Sequence, residues 1–174
     1  SATATNGDSA FRVIPWIVID PSATGTGTSA SAQFGTYDAT AANGFRPLIA
    51  SSETTTAFTV GTNVRLTGAL TVGAAATTMT ATSVNSLTFE SGGSLTIDDY
   101  RTLTNASGGI LAKASATIAT TGSGIGKGAI FGNSITEAVI FVFGSANTLT
   151  IEAPLGGALA PSTGGLTLSG NGKL

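Results

Sequence analysis

Three aliphatic residues set the terms for this chain. Val64, Leu87 and Ile110 follow one another at intervals of 23 residues. Within one interval, Leu87, Leu95 and Leu103 follow at intervals of eight. From about residue 60 onward one short phrase repeats, apolar residues alternating with Thr or Ser and closed by Gly, Asn, Ser or Asp. The phrase recurs as "NVRLTG", "GALTVG", "NSLTFESGG", "SLTIDD", "RTLTNASGG", "NTLTIEAPLGG" and "GGLTLSGNG". Period-two alternation marks a half-buried strand, and β-branched Thr suits its outer face. No segment sustains a helical period of apolar residues, so the chain is all-β. Three strands of about eight residues, turns included, return the chain to its starting side after 23, which is one coil of a solenoid.

The expected architecture is a right-handed parallel β-helix (solenoid) over residues 61–174, with an irregular N-terminal strand and cap region over 1–60 packed on it. An antiparallel sandwich with evenly spaced strands is the alternative. In a solenoid each inward side chain stacks on its equivalent one coil away, about 4.8 Å along the axis. Leu66, Val72, Leu87, Phe89, Leu95, Ile97, Leu103, Ile110, Ile118, Leu149, Ile151, Leu166 and Leu168 would then form continuous apolar ladders. Further coils are expected around Ile130–Phe143, Leu149–Leu155 and Leu166–Leu174, with less regular spacing. Pro15 confines the apolar run "FRVIPWIVID" to an edge strand or a bulge, and Trp16 is expected to be buried against the first coil.

Composition narrows the function. Only 9% of the 174 residues are charged, and 24 are Gly. The mean hydropathy of +0.35 does not come from a membrane span. The longest apolar runs, Phe11–Ile19 and Ala138–Phe143, fall well short of the roughly 20 residues a spanning helix needs, so no membrane insertion is expected. Cys and His are absent, which excludes thiolate and imidazole metal sites, thiol nucleophiles and Ser-His-Asp triads. Seven basic residues are scattered singly against nine acids, which argues against nucleic acid. A small, nearly neutral, Thr-rich exterior points to an extracellular or cell-surface protein of bacterial type.

The segments "GGLTLSGNGKL" and "NTLTIEAPLGG" resemble the autotransporter-associated β-strand repeat, with Gly164, Gly165, Leu166, Leu168, Gly170, Gly172 and Leu174 in matching positions. The stretch from "FRVIPWIVIDPSATGTGTS" through "FGTYD" and "NGFRPL" resembles the region preceding such repeats in large bacterial surface proteins. This resemblance implies a β-helix in a secreted passenger or surface fibre, with no catalytic residue.

Other motifs give no chemistry. The acids of "DDYR" (Asp98–Arg101) have only Ala, Thr, Gly and Ser one coil away, so the groove of acids that a polysaccharide-cleaving β-helix needs is missing. The pair Asp98 and Asp99 has no Asp-rich repeat to cage Ca²⁺. "TGSGIGKGAIFG" (Thr121–Gly132) lacks the first Gly and the Ser/Thr of a phosphate loop. Asn105-Ala106-Ser107 matches a glycosylation sequon by pattern alone. Trp16, Tyr37 and Tyr100 are scattered in sequence and form no evident sugar platform.

The expected function is therefore structural, with no enzyme activity and no cofactor. The chain reads as a segment or self-assembling subunit of a surface fibre built by end-to-end stacking. An adhesion or glycan-binding passenger module, with surface glycans as partner, is the alternative; a polysaccharide-degrading β-helix is the third. No polar cap covers the last coil, whose edge and core would otherwise be open, so the expectation is that either a longer chain continues past Leu174 or another copy docks there. In the second case Leu166, Leu168 and Leu174 would form one half of a head-to-tail contact. The strand carrying Phe11, Val13, Ile14, Trp16, Ile17, Val18 and Ile19 would form the other half by strand addition.

Overall fold

A computed structural model describes residues 8–22, 30–41, 44–73, 78, 80–121, 129–130, 137–155 and 165–174. The P-loop-like stretch lies almost wholly outside these residues. Among them the chain forms 15 strands and no helix. From β4 onward the strands run as repeated triplets: β4 (Asn63–Leu66), β5 (Ala69–Val72) and β6 (Thr80–Val84), then β7 (Ser86–Phe89), β8 (Ser94–Ile97) and β9 (Arg101–Asn105). The third triplet is β10 (Gly109–Ala112), β11 (Ala116–Thr120) and β12 (Ala129–Ile130). After it come β13 (Glu137–Val142), β14 (Leu149–Ile151) and β15 (Gly165–Gly170).

Each triplet is one turn of a β-solenoid, and equivalent strands pair in parallel. The three resulting sheets run β4-β7-β10-β13-β15, β5-β8-β11-β14 and β6-β9-β12. The 23-residue spacing is the register itself: Val64 pairs with Leu87 and Leu87 with Ile110, and Leu95 pairs with Ile118. From the third turn to the fourth the interval widens to 30, because Ile110 pairs with Ile140. The added length falls between β11 and β13.

The core is a stack of the expected ladders. Leu66, Val72, Leu87, Phe89, Ile97, Leu103, Ile110, Ile118, Ile140 and Leu149 are fully buried in one cluster, with Ile151 partly buried against it. At 1.5–3 kcal/mol per fully buried aliphatic side chain, these ladders are the main source of stability. Corners are set by backbone geometry. Gly108 adopts φ +76°, and a Cβ there would lie 2.1 Å from the Glu137 carbonyl oxygen of the next turn, so only glycine permits coil-on-coil contact at this corner.

The N-terminal region lies on the flank of the solenoid. Strands β1 (Ile14–Ile19), β2 (Gln33–Tyr37) and β3 (Phe45–Pro47) form an antiparallel sheet in that order. Its inner face (Val13, Phe34, Leu48) packs on Leu111, with Phe11, Val18, Phe141 and Phe143 around them. Leu111 and Phe141 alternate with the inward Ile110, Ala112, Ile140 and Val142, so they project from the outer face of the solenoid. Gly109 leaves room for this approach: a Cβ there would meet the Phe34 ring at 3.0 Å and Pro15 at 3.2 Å.

Polar groups fasten the flanking sheet. Arg46 Nε donates to Asp38 Oδ2 at 2.7 Å, while Nη1 and Nη2 donate to Glu53 Oε2 and Oε1 at 2.7 and 2.6 Å. The side chain of Glu53 is wholly inaccessible, and that of Arg46 is 17% exposed. The hydrogen bond to Glu53, above all, raises the Arg46 pKa further above its ordinary value, against the cost of burial. The guanidinium carbon also lies 5.2 Å from the Phe11 ring centroid, a cation–π distance. Nearby, Asn63 Nδ2 donates to Phe11 O at 2.7 Å, while Asn85 Nδ2 and Ser86 Oγ donate to Asn63 Oδ1 at 2.7 and 2.8 Å.

Two expectations change. Trp16 is 66% exposed, because β1 belongs to the flanking sheet and Pro15 and Val13 take the inward positions next to it. Leu166 and Leu168 occupy the inward register yet remain 49% and 47% exposed, because no further coil covers them among the described residues.

Candidate functional site

Among the described residues no three or more acids cluster, and the ends of the solenoid are the candidate site. At the C-terminal end β15 pairs in parallel with β13, Ala138 opposite Leu166 and Ile140 opposite Leu168. Alternation along β15 turns Leu166 and Leu168 toward the core and Gly165, Thr167 and Ser169 outward. The column Val64-Leu87-Ile110-Ile140-Leu168 is buried to 1% or less at its first four members and half open at the fifth. Thr167 Oγ1 donates to Glu137 Oε1 at 2.5 Å, which ties the outer face of β15 to β13.

The chain then makes a corner and begins another strand. Gly170 has φ +95°, and a Cβ there would lie 2.2 Å from Val142 O. Gly172 N donates to Val142 O at 2.8 Å. Asn171 Oδ1 accepts from Gly144 N at 2.7 Å. Lys173 N then donates to Asn147 O at 3.0 Å and its carbonyl accepts from Leu149 N at 2.9 Å, so Lys173 pairs in parallel with Thr148. Leu174 is 46% exposed. The resulting rim combines a strand edge with three half-covered leucines.

The N-terminal end is different. Thr55 forms a parallel bridge with Val64: its N–H donates to Asn63 O at 2.9 Å and its carbonyl accepts from Arg65 N at 2.7 Å. Phe58 packs against the core cluster, and the buried Glu53 holds the segment to Arg46. Thr55 thus bridges the outer edge of β4 at Val64, whereas among the described residues no strand pairs with the outer edge of β15.

Among the residues expected to associate, the structure separates two groups. Leu166, Leu168 and Leu174 come together on the open rim. Phe11, Val13 and Val18 are instead packed in the flank cluster, and Ile14, Val18 and Ile19 are paired with β2. Ile17 lies over Gly35, where its Cγ2 would come within 2.6 Å of an added Cβ. The register shift between Ile14 and Val18, together with Pro15, makes the outer edge of β1 a poor template for another strand. Phe11, Val13 and Val18 thus have partners on the solenoid flank, whereas Trp16 faces outward.

The other candidates resolve into local structure. Asp98 Oδ1 accepts from Thr121 Oγ1 at 3.0 Å, one 23-residue coil away. In the "DDYR" corner Tyr100 has φ 55°, Arg101 N donates to Asp98 O at 3.1 Å and Thr80 N to Tyr100 O at 2.8 Å. Among the described residues, no group of three or more acids could hold a metal ion, and no helix is long and apolar enough to cross a membrane. Asn105 of the sequon is fully buried, and its Nδ2 donates to Gly109 O at 2.8 Å. A shallow depression of about 320 Å³ over Gly92–Ser94, Ser115–Thr117, Thr148 and Thr150 has no titratable side chain in its lining.

Sequence reasoning missed two features. One is the Arg46–Glu53–Asp38 cluster. The other is an aromatic surface on the flanking sheet: Tyr37 and Phe45, 60% and 49% exposed, are register partners whose rings meet edge to face at 5.8 Å. Their pairing across a hairpin was not readable from positions eight residues apart.

No family matches the chain, and no curated protein or solved structure is similar to it. Its own geometry defines it as a β-solenoid of about three turns, compatible with a β-helix repeat protein.

Proposed function

We propose that this chain is a structural element of an extracellular fibre, a length of β-solenoid whose C-terminal rim docks further β-structure. One observation carries the reading: Leu166 and Leu168 stand half exposed in a register whose preceding members are buried. Covering an exposed leucine recovers part of the 1.5–3 kcal/mol of its full burial, and an uncovered strand edge presents unpaired N–H and C=O groups to an incoming strand. The likeness of the closing segment to autotransporter-associated repeats and the scarcity of charge support a secreted, bacterial-surface setting. Sedimentation velocity over a wide concentration range tests the docking role. Reversible association of the wild-type chain, lost in a Leu166→Ser/Leu168→Ser variant of unchanged circular dichroism, is expected. Equal behaviour of the two proteins would refute it.

A second reading has its own observation. Tyr37, Phe45 and Trp16 expose aromatic surface on the flanking sheet, and exposed apolar patches mark contact sites. As an adhesion module the chain would stack sugar rings on this sheet. A glycan array showing binding that Tyr37→Ser abolishes would favour it; an array without signal would dismiss it.

A further inference from the structure

We propose that the outer face of the flanking sheet binds a polysaccharide bearing carboxylates, with Arg12 clamping a carboxylate and the Tyr37–Phe45 pair holding the sugar ring. The inference rests on the second reading above, of this sheet as a glycan-binding surface, and names the class of glycan. The face lies on the side of the solenoid and depends on neither of its ends.

Three strands bring the parts together. Phe11 and Val13 belong to the cluster under the sheet, so Arg12 between them points outward, and it is exposed. Its backbone is held in place. Arg12 O accepts from Thr36 Oγ1 at 2.6 Å, and Phe11 O accepts from Asn63 Nδ2 and Asn85 Nδ2 at 2.7 and 3.1 Å. Ile14 pairs with Gly35, and continuing that antiparallel register by two residues sets Arg12 opposite Tyr37, whose partner on β3 is Phe45. Arg12, Tyr37 and Phe45 thus form one row across the sheet, with neighbouring backbones about 5 Å apart. Among the described residues no ion pair involves the Arg12 guanidinium. The acids of this region are engaged elsewhere: Asp38 and Glu53 hold Arg46 on the inner face, and Asp8 Oδ1 accepts from Ala10 N at 2.9 Å. A planar guanidinium matches a carboxylate with two parallel hydrogen bonds.

The aromatic pair beside it is set in advance. The two rings meet at 76°, so they form a corner rather than a flat plate. Gly44, with φ +72°, passes so close to Tyr37 that an added Cβ would lie 3.2 Å from its Cε2. The apolar C–H face of a pyranose ring fits such a corner, with the carboxylate turned toward Arg12. Together with Trp16 the exposed rings offer roughly 300–400 Å². That is about half of the roughly 800 Å² that each side of a stable protein complex buries. The patch is sized for a sugar chain, not for a folded partner.

Isothermal titration calorimetry with polygalacturonate, alginate and hyaluronan, each against its carboxyl-reduced form, tests the proposal. At least one acidic polymer should bind ten times or more tightly than its neutral form. Arg12→Gln should weaken that binding at least tenfold, Arg12→Lys should weaken it less, and Tyr37→Ser or Phe45→Ser, with unchanged circular dichroism, should abolish it. Arg65→Gln, which removes the same charge from β4, should leave it unchanged. Neutral forms that bind as tightly as the acidic ones, or binding that survives Arg12→Gln but not Tyr37→Ser, overturns the carboxylate clamp and leaves the sugar-stacking reading standing. Equal losses in Arg12→Gln and Arg65→Gln overturn the clamp as well, since overall charge then accounts for the affinity. No binding to any of the three polymers by a protein that binds neutral sugars on an array has the same consequence. If neither the polymers nor the array give a signal, both readings fall.

Discussion

Ile140 and Leu168 are neighbours in one ladder, one turn apart, and differ chiefly in burial: Ile140 is fully buried and Leu168 is 47% exposed. Truncating each to Ala removes aliphatic carbon from the same column, so the comparison isolates what the next coil contributes. For Ile140→Ala the lost transfer energy and the cavity between Ile110 and Leu168 together cost about 2–5 kcal/mol. For Leu168→Ala about half the side chain was already in water and no closed cavity forms, so the cost is about 1 kcal/mol. Urea denaturation monitored by circular dichroism gives both values from the midpoint shifts at unchanged slope. The protein must be dilute, because association with the folded state adds stability by mass action. A Leu168→Ala cost equal to that of Ile140→Ala would refute the reasoning, since it would mean that Leu168 is as fully enclosed as Ile140.

Other perturbations test the parts of the fold separately. Glu53→Gln should destabilise by about 3 kcal/mol, because it removes half of a buried ion pair. Arg46→Met should cost more, since it leaves both Asp38 and Glu53 without their cation; thermal melts of the two variants give the order. Gly108→Ala combines a positive φ with a Cβ 2.1 Å from Glu137 O, and should cost more than the roughly 1 kcal/mol of an ordinary strained backbone position. Its chemical denaturation curve supplies the number. Secreted from a glycosylating host, the folded chain should carry no sugar on Asn105, whose amide is enclosed and bonded to Gly109 O; intact mass spectrometry reads this directly.

What the sequence disclosed follows from the ladder. Stacked coils need the same residue class at the same phase, so Val64, Leu87 and Ile110 declare the register across 46 residues, and Leu95 with Ile118 repeats it. The phase is lost beyond Ile118 because the next interval widens to 30 residues, and length inserted at a corner leaves no periodic trace. The flanking sheet was legible only indirectly. "GILA" and "AVIFVF" break the alternation of apolar and Thr residues, and a continuous apolar run signals a strand covered on both faces. Leu111 and Phe141 are those extra apolar residues, and β2 with its neighbours is what covers them. The position of Trp16 could not be read in the same way, because a register shift on β1 resets which residues face inward. Arg46, Asp38 and Glu53 are spread over 16 residues with no regular spacing, and paired buried charges have no period to betray them. The open rim was the most legible part of the site, since Leu166 and Leu168 continue the phrase and Gly170 to Gly172 make the corner it requires.

Amide hydrogen exchange along β15, followed by NMR at several protein concentrations, tests most directly whether the C-terminal rim is a docking face. In dilute protein the amides of residues 165–170 that point to β13 should be protected, and the alternate ones that point away should exchange freely. On concentration the second set should gain protection, while the amides of β7 and β10, already enclosed on both sides, stay constant. Exchange of β15 that is independent of concentration, or outer amides already protected in the dilute monomer, would contradict the account.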